Sequence, residues 1–100
     1  MNIPKKVKIL HLEYDVVDET NLHDGGNDLF GQCDYMGQVI KINPLAKEDR
    51  RKETLIHEIV HAIDDNFNLE LNESQVIRLG VGFCNLIENN PEMFNDNNNN

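Results

Sequence analysis

The sequence predicts an α+β fold, with a small and mainly antiparallel sheet packed on two principal helices. Short β-branched stretches occupy the N-terminal part of the chain, and apolar residues recur at helical spacing over two later segments. Asn, Gly and Pro separate these stretches, as turn chemistry requires. A chain of 100 residues is long enough for one core of this kind and too short for a separate substrate-binding domain. The expected domain spans residues 1–94, and the Asn-rich tail at 95–100 is expected to be disordered.

The elements follow in order. Val7 to Leu12 and Tyr14 to Val17 are apolar, β-branched and interrupted by charge, consistent with one or two strands. Asn21 to Asp28 is a loop by its Asp, Gly and Asn content. Gly31 to Tyr35 and Gln38 to Ile42 flank Met36-Gly37 as the arms of a hairpin, which Asn43-Pro44 ends. A long helix is predicted from about Lys47 to Asn66, with its opening cluster of mixed charge in solvent. After a connection over Asn66 to Asn72, a second helix starts at Asn72 or Glu73, with Asn72 as N-cap. It carries Val76, Ile77, Leu79, Gly80, Phe83, Cys84 and Ile87 and closes at Asn89-Asn90-Pro91. Gly80 and Gly82 weaken its propensity but permit a close approach to the first helix.

Charge and cysteine content narrow the function. The formal net charge of -9 disfavours binding to a phosphate backbone, so no nucleic-acid partner is expected. The two cysteines, Cys33 and Cys84, form no CxxC pair and encode no cysteine-based zinc module. Free thiols, no apolar segment after Lys5-Lys6 and no run of transmembrane length lead to the expectation of a cytoplasmic protein without a membrane partner. A monomer is the favoured state.

The segment His57-Glu58-Ile59-Val60-His61 carries the chemistry. Two histidines four residues apart share a helical face, so both imidazoles can converge on one zinc ion. Glu58 leans toward that face and can serve as general base toward a water activated by the metal. Leu55, Ile56, Ile59, Val60 and Ile63 form an apolar stripe beside the histidines, which places the motif on a packed helix.

Catalytic zinc requires a third protein ligand and an open position. No histidine follows His61, which leaves Asp64, Asp65, Glu70, Glu73 and Glu88, with Cys84 as an outsider. Asp64 and Asp65 share the first helix with His61 and suit a role in orienting an imidazole. A ligand from the second helix closes the geometry better. Glu73 is the first choice and Glu70 the second.

The motif and its setting resemble the compact zincin metallopeptidases, in particular the ImmA/IrrE-like family of bacteria and their mobile elements. The resemblance runs from about Leu29 to Asn89, through the strand Val39-Ile40-Lys41-Ile42, the motif helix and Asn72-Glu73-Ser74-Gln75. It implies a minimal zincin-like domain with a gluzincin-like site: His57, His61 and Glu73 hold zinc, and Glu58 is catalytic. The implied activity is cleavage of a cytoplasmic protein, such as a regulator of the same mobile element. It also implies that an extended peptide pairs with an exposed strand edge, offered by either the Gly31–Tyr35 arm or the Val39–Ile42 arm. The interval from His61 to Glu73 is shorter than in many relatives. No oxyanion stabiliser is evident; Arg78 lies downstream, and Tyr35 and His23 are upstream candidates. The competing reading is a non-catalytic binding module or phage accessory protein in which zinc stabilises a small fold. Glu58 weighs against it, because a structural site needs no general base.

Overall fold

A computed structural model describes residues 1–24 and 27–94. Strands β1 (Lys6–Ile9) and β2 (Leu12–Asp18) form an antiparallel hairpin, with Lys6 opposite Asp15 and Ile9 opposite Leu12. The expected first strand is cut short at Ile9 because Leu10 takes the left-handed region at φ 57° and reverses the chain. Strand β5 (Gly31–Asp34) pairs antiparallel with β6 (Val39–Ile42) across a turn at residues 35–38. The turn is longer than Met36-Gly37 alone: Gly37 N–H donates to Asp34 Oδ1 at 3.0 Å, and Gln38 supplies a φ of 54°.

The four-stranded sheet has the order β1-β2-β6-β5. It is mixed, because β2 and β6 pair in parallel, with Asp15 opposite Val39 and Asp18 opposite Ile42. A parallel pair needs a long return connection. The chain between β2 and β6 provides it and holds a short antiparallel ribbon, β3 (His23–Asp24) with β4 (Asn27–Asp28), where a loop was expected. Gly25 and Gly26 of that expected loop, and the expected tail at 95–100, lie outside the described residues.

Helix α1 (Glu48–Phe67) buries two sides. Leu55 and Ala62, with Ile59 and Ile63 beside them, pack on Ile9, Tyr14, Ile40 and Ile42 of the sheet. Ile56 and Val60 pack instead on Val76 of helix α2 (Glu73–Asn89). Alternation along β6 explains the sheet side, since Ile40 and Ile42 share one face and are both fully buried. The buried Tyr14 keeps its hydroxyl satisfied: Asn66 Nδ2 donates to it at 2.8 Å and to Ala62 O at 2.7 Å.

The turn between the helices is fixed by local chemistry. Asn68 caps α1 in the left-handed conformation at φ 52°, a residue type that tolerates it. Asp64 Oδ1 accepts from Leu71 N–H at 3.2 Å, so this carboxylate ties down the connection and does not orient an imidazole as expected. Asn72 and Gln75 then form a reciprocal capping box, with Gln75 N–H donating to Asn72 Oδ1 at 2.8 Å and Asn72 N–H donating to Gln75 Oε1 at 3.0 Å. That box sets Glu73 as the first residue of α2.

The mixed-charge start of α1 is less solvated than its composition suggests. Arg51 reaches Asp18 of β2 at 3.4 Å, and Lys52 bridges Glu48 at 3.6 Å and Glu88 of α2 at 3.4 Å. Among the described residues, no helix is long and apolar enough to cross a membrane.

Candidate metal centre

Both motif histidines lie on α1 where it is flanked by α2 on one side and β5 on the other. Their rings meet edge-on, with centroids 4.9 Å apart, as expected for residues one helical turn apart. Gly80 makes the α2 side possible: a Cβ there would lie 3.2 Å from His57 Cα, so the missing side chain lets α2 close onto the motif. Gly82 has open space around its Cβ position and plays no such part.

That approach brings Glu73 over the histidines. Its Oε1 lies 3.1 Å from His57 Nε2, and its Oε2 lies 3.4 Å from His61 Nε2. The ligand atoms of His57, His61 and Glu73 all fall within 4.8 Å of one another, and the group could hold a metal ion. Glu70, the second choice, is not part of the group. It sits in the connection with a φ of 58° and never reaches the start of α2.

The separations can be tested against coordination geometry. A tetrahedral ion with bonds of about 2.0–2.1 Å has ligand atoms about 3.3–3.4 Å apart. The two imidazole-to-carboxylate distances of 3.1 and 3.4 Å, each to a different oxygen of Glu73, lie close to that edge, within a group whose ligand atoms fall within 4.8 Å of one another. Burial first, and the neighbouring His61 second, hold the His57 pKa below its usual value against the pull of Glu73. Neutral imidazole is the form that binds a metal.

Glu58 occupies the opposite flank. It is 6% exposed as a residue, while Arg51 Nε, not a Glu58 oxygen, is the buried side-chain polar atom left without a hydrogen bond among the described residues. Burial, with a smaller contribution from Glu73, pushes its pKa up to about 7. Gly31 of β5 covers it: a Cβ at Gly31 would lie 3.3 Å from Glu58 Oε2, 2.9 Å from Lys41 O and in collision with Thr54 Cγ2. The glycine therefore lets the strand pass directly over the carboxylate.

A cleft of about 340 Å³ opens beside this centre, and both His57 and Glu58 line it. Its walls include Leu29, Phe30 and Gly31 on one side and Ile77, Gly80 and Val81 of α2 on the other. Arg50 sits at the wall with its guanidinium 4.7 Å from the Phe30 ring centroid. Neither Phe30 nor Arg50 was singled out from the sequence, since no local motif marks a contact between a pre-strand residue and the first turn of a helix.

His23, Tyr35 and Arg78 are absent from the lining of this cleft. Tyr35 stands in the β5–β6 turn, where partial burial, with Cys33 and the acids Asp65, Glu58 and Asp64 nearby, pushes its pKa up to about 12. Arg78 belongs to another surface hollow with Leu71, Gln75 and Leu79. Cys33 and Cys84 are free thiols, and neither joins the three-residue group.

The sheet order also separates the two proposed strand edges. Strand β6 is held between β2 and β5, so Val39–Ile42 offers no edge, whereas β5 ends the sheet. Compared with known proteins, the chain matches no family model, no curated protein and no solved structure.

Proposed function

We propose that the protein is a zinc-dependent metallopeptidase of the compact zincin type, acting on an extended segment of a protein substrate. The observation that carries this reading is Glu58: a carboxylate on a residue only 6% exposed, lining a cleft beside three convergent metal-ligand atoms. Burying such a group costs stability, and sites of this kind concentrate where chemistry is done. His57, His61 and Glu73 would hold the ion, with two nitrogens and a carboxylate forming the donor set of a catalytic zinc. Bound zinc supplies Lewis acidity and an activated water.

The chain's own residues account for the remaining steps. Glu58 takes a proton from the attacking water as its oxygen adds to the peptide carbonyl carbon. When the C–N bond breaks, Glu58 returns that proton to the amine nitrogen, so the carboxylate is regenerated. Gly31 keeps β5 packed directly against Glu58 and Thr54, since a side chain there would collide with Thr54.

A second reading has one observation in its favour. Helix α2 buries only Val76 and Gly80 fully, so a metal linking Glu73 to α1 would add substantially to its attachment. Such a zinc-stabilised binding module would tolerate loss of Glu58 chemistry. The variant Glu58→Gln separates the readings: it should keep the fold and one bound zinc while peptide hydrolysis falls to background. Unchanged hydrolysis would remove Glu58 from the mechanism, and a wild-type protein that binds zinc without hydrolysing any peptide would favour the module.

A further inference from the structure

Helix α2 turns more apolar residues to solvent than it hides. Val76 and Gly80 are its buried residues, whereas Ile77, Leu79, Val81, Phe83 and Leu86 are all exposed. A helix that is apolar around most of its circumference is ordinarily covered on more than one side. Ile77 and Val81 line the cleft beside the metal centre, and Leu79, Phe83 and Leu86 do not. The spacing of these three, four residues and then three, sets them in one stripe on the flank away from the cleft. Helices dock on one another through stripes of this kind.

The distribution of the exposed residues identifies what covers the stripe. Val81 is the midpoint of Glu73–Asn89, and Leu79 and Phe83 stand two residues before and after it. Beyond the helix, Leu69 lies four residues before Glu73 and Met93 four residues after Asn89, and both are exposed. Reversing the chain about Val81 therefore exchanges apolar positions for apolar positions, which is the self-complementarity of a twofold contact. Charge permits such a contact. Between Glu73 and Glu88 the one charged residue of α2 is Arg78, and the stripe itself carries none. Pairing there desolvates no charge, although each copy has a formal net charge of -9.

The area is sufficient as well. Leu69, Leu79, Phe83, Leu86, Met93 and Phe94 are each between 38% and 67% exposed. At roughly 200 Å² for a large side chain, they hold on the order of 600 Å² of apolar surface per copy. Two copies bring about 1,200 Å² together, above the roughly 1,000 Å² expected of a specific interface.

We infer that two copies of the chain pair through α2, antiparallel about Val81, with Leu79 of one copy against Phe83 of the partner subunit and Leu69 against the partner's Met93. This pairing takes the place of the monomer expected from the sequence. It uses the flank of α2 that the cleft does not, and it braces the helix that carries Glu73. Nothing in it depends on hydrolysis.

Sedimentation equilibrium of the full chain provides the test. The mass should pass from one chain to two as concentration rises through the micromolar range. Apolar contact opposed by net charge is favoured by screening, so the dimer should tighten as ionic strength is raised. Leu79→Glu and Phe83→Glu, at exposed positions, should each weaken pairing by about 30-fold or more while helicity is kept. Ile77→Glu, on the cleft flank, should leave pairing unchanged. In a Cys33→Ser, Cys84→Ser background, air oxidation of mixed Leu69→Cys and Met93→Cys chains should join one kind of chain to the other. A mass of one chain at every concentration, a dimer that survives both glutamates, a dimer lost with Ile77→Glu, or cross-links confined to like chains would each overturn the inference.

Discussion

At Glu58 the chain places a carboxylate under a strand, near the acid Glu73. At Glu73 a second carboxylate is drawn to two imidazoles that would otherwise share a partly buried face. Replacing Glu73 with Ala should lower zinc affinity by at least about 100-fold in a competition titration, since a direct ligand is worth more than the about 10–100-fold of an outer partner. Glu70→Ala should leave affinity unchanged, because Glu70 lies outside the group. Cys33 gives a pH-dependent readout away from the ligands. Burial first, then Glu58, Asp65 and Asp34, pushes its thiol up to about 12, so the unreactive protonated form persists across the neutral range. In a Cys84→Ser background, alkylation of Cys33 at pH 8 should be at least about 100-fold slower than for a free thiol and should accelerate as pH rises toward 12. Rapid labelling at pH 8 would show that the strand does not cover this thiol.

The two glycines of α2 make opposite predictions despite lying two residues apart. Gly82 has open space around it, so Gly82→Ala should stabilise the protein by about 0.5–1 kcal/mol in urea unfolding, the usual gain from restricting a helical glycine. Gly80→Ala should gain less and should also weaken zinc binding, because its new methyl presses on the His57 backbone and moves Glu73 with α2. Equal gains at both positions would mean that α2 has room to spare over the motif. The start of α2 was legible because Asn72 is a local N-cap signal, and α1 because apolar positions recur at helical spacing from Leu55 to Ile63. The β1 boundary was not legible: a leucine with positive φ contradicts its own preference, and only the hairpin that forms around Leu10 explains it.

Across the whole molecule, the histidine pair was readable from spacing, and Glu73 from its place at a helix start. The parallel pairing of β2 with β6, the Arg50–Phe30 contact and the covering of Glu58 by Gly31 were not readable, since each joins distant segments without a local signature. The metal group likewise joins the two helices, so an ion there would contribute to stability as well as to chemistry. With free zinc at 100 times its dissociation constant, the native state should gain about 2.7 kcal/mol. Chelation should then lower the melting temperature by roughly 10–20 °C, from about 4–8 °C per kcal/mol in a domain of this size. A melting temperature indifferent to chelator would mean that no ion ties α1 to α2.

The coordination sphere of the purified zinc-loaded protein, read from a crystal structure with anomalous diffraction at the zinc edge, tests the central claim most directly. One ion should be bound through His57 Nε2, His61 Nε2 and the Glu73 carboxylate, with a non-protein position open toward Glu58. An ion closed by a fourth protein ligand, or zinc bound away from these three residues, would contradict the catalytic account.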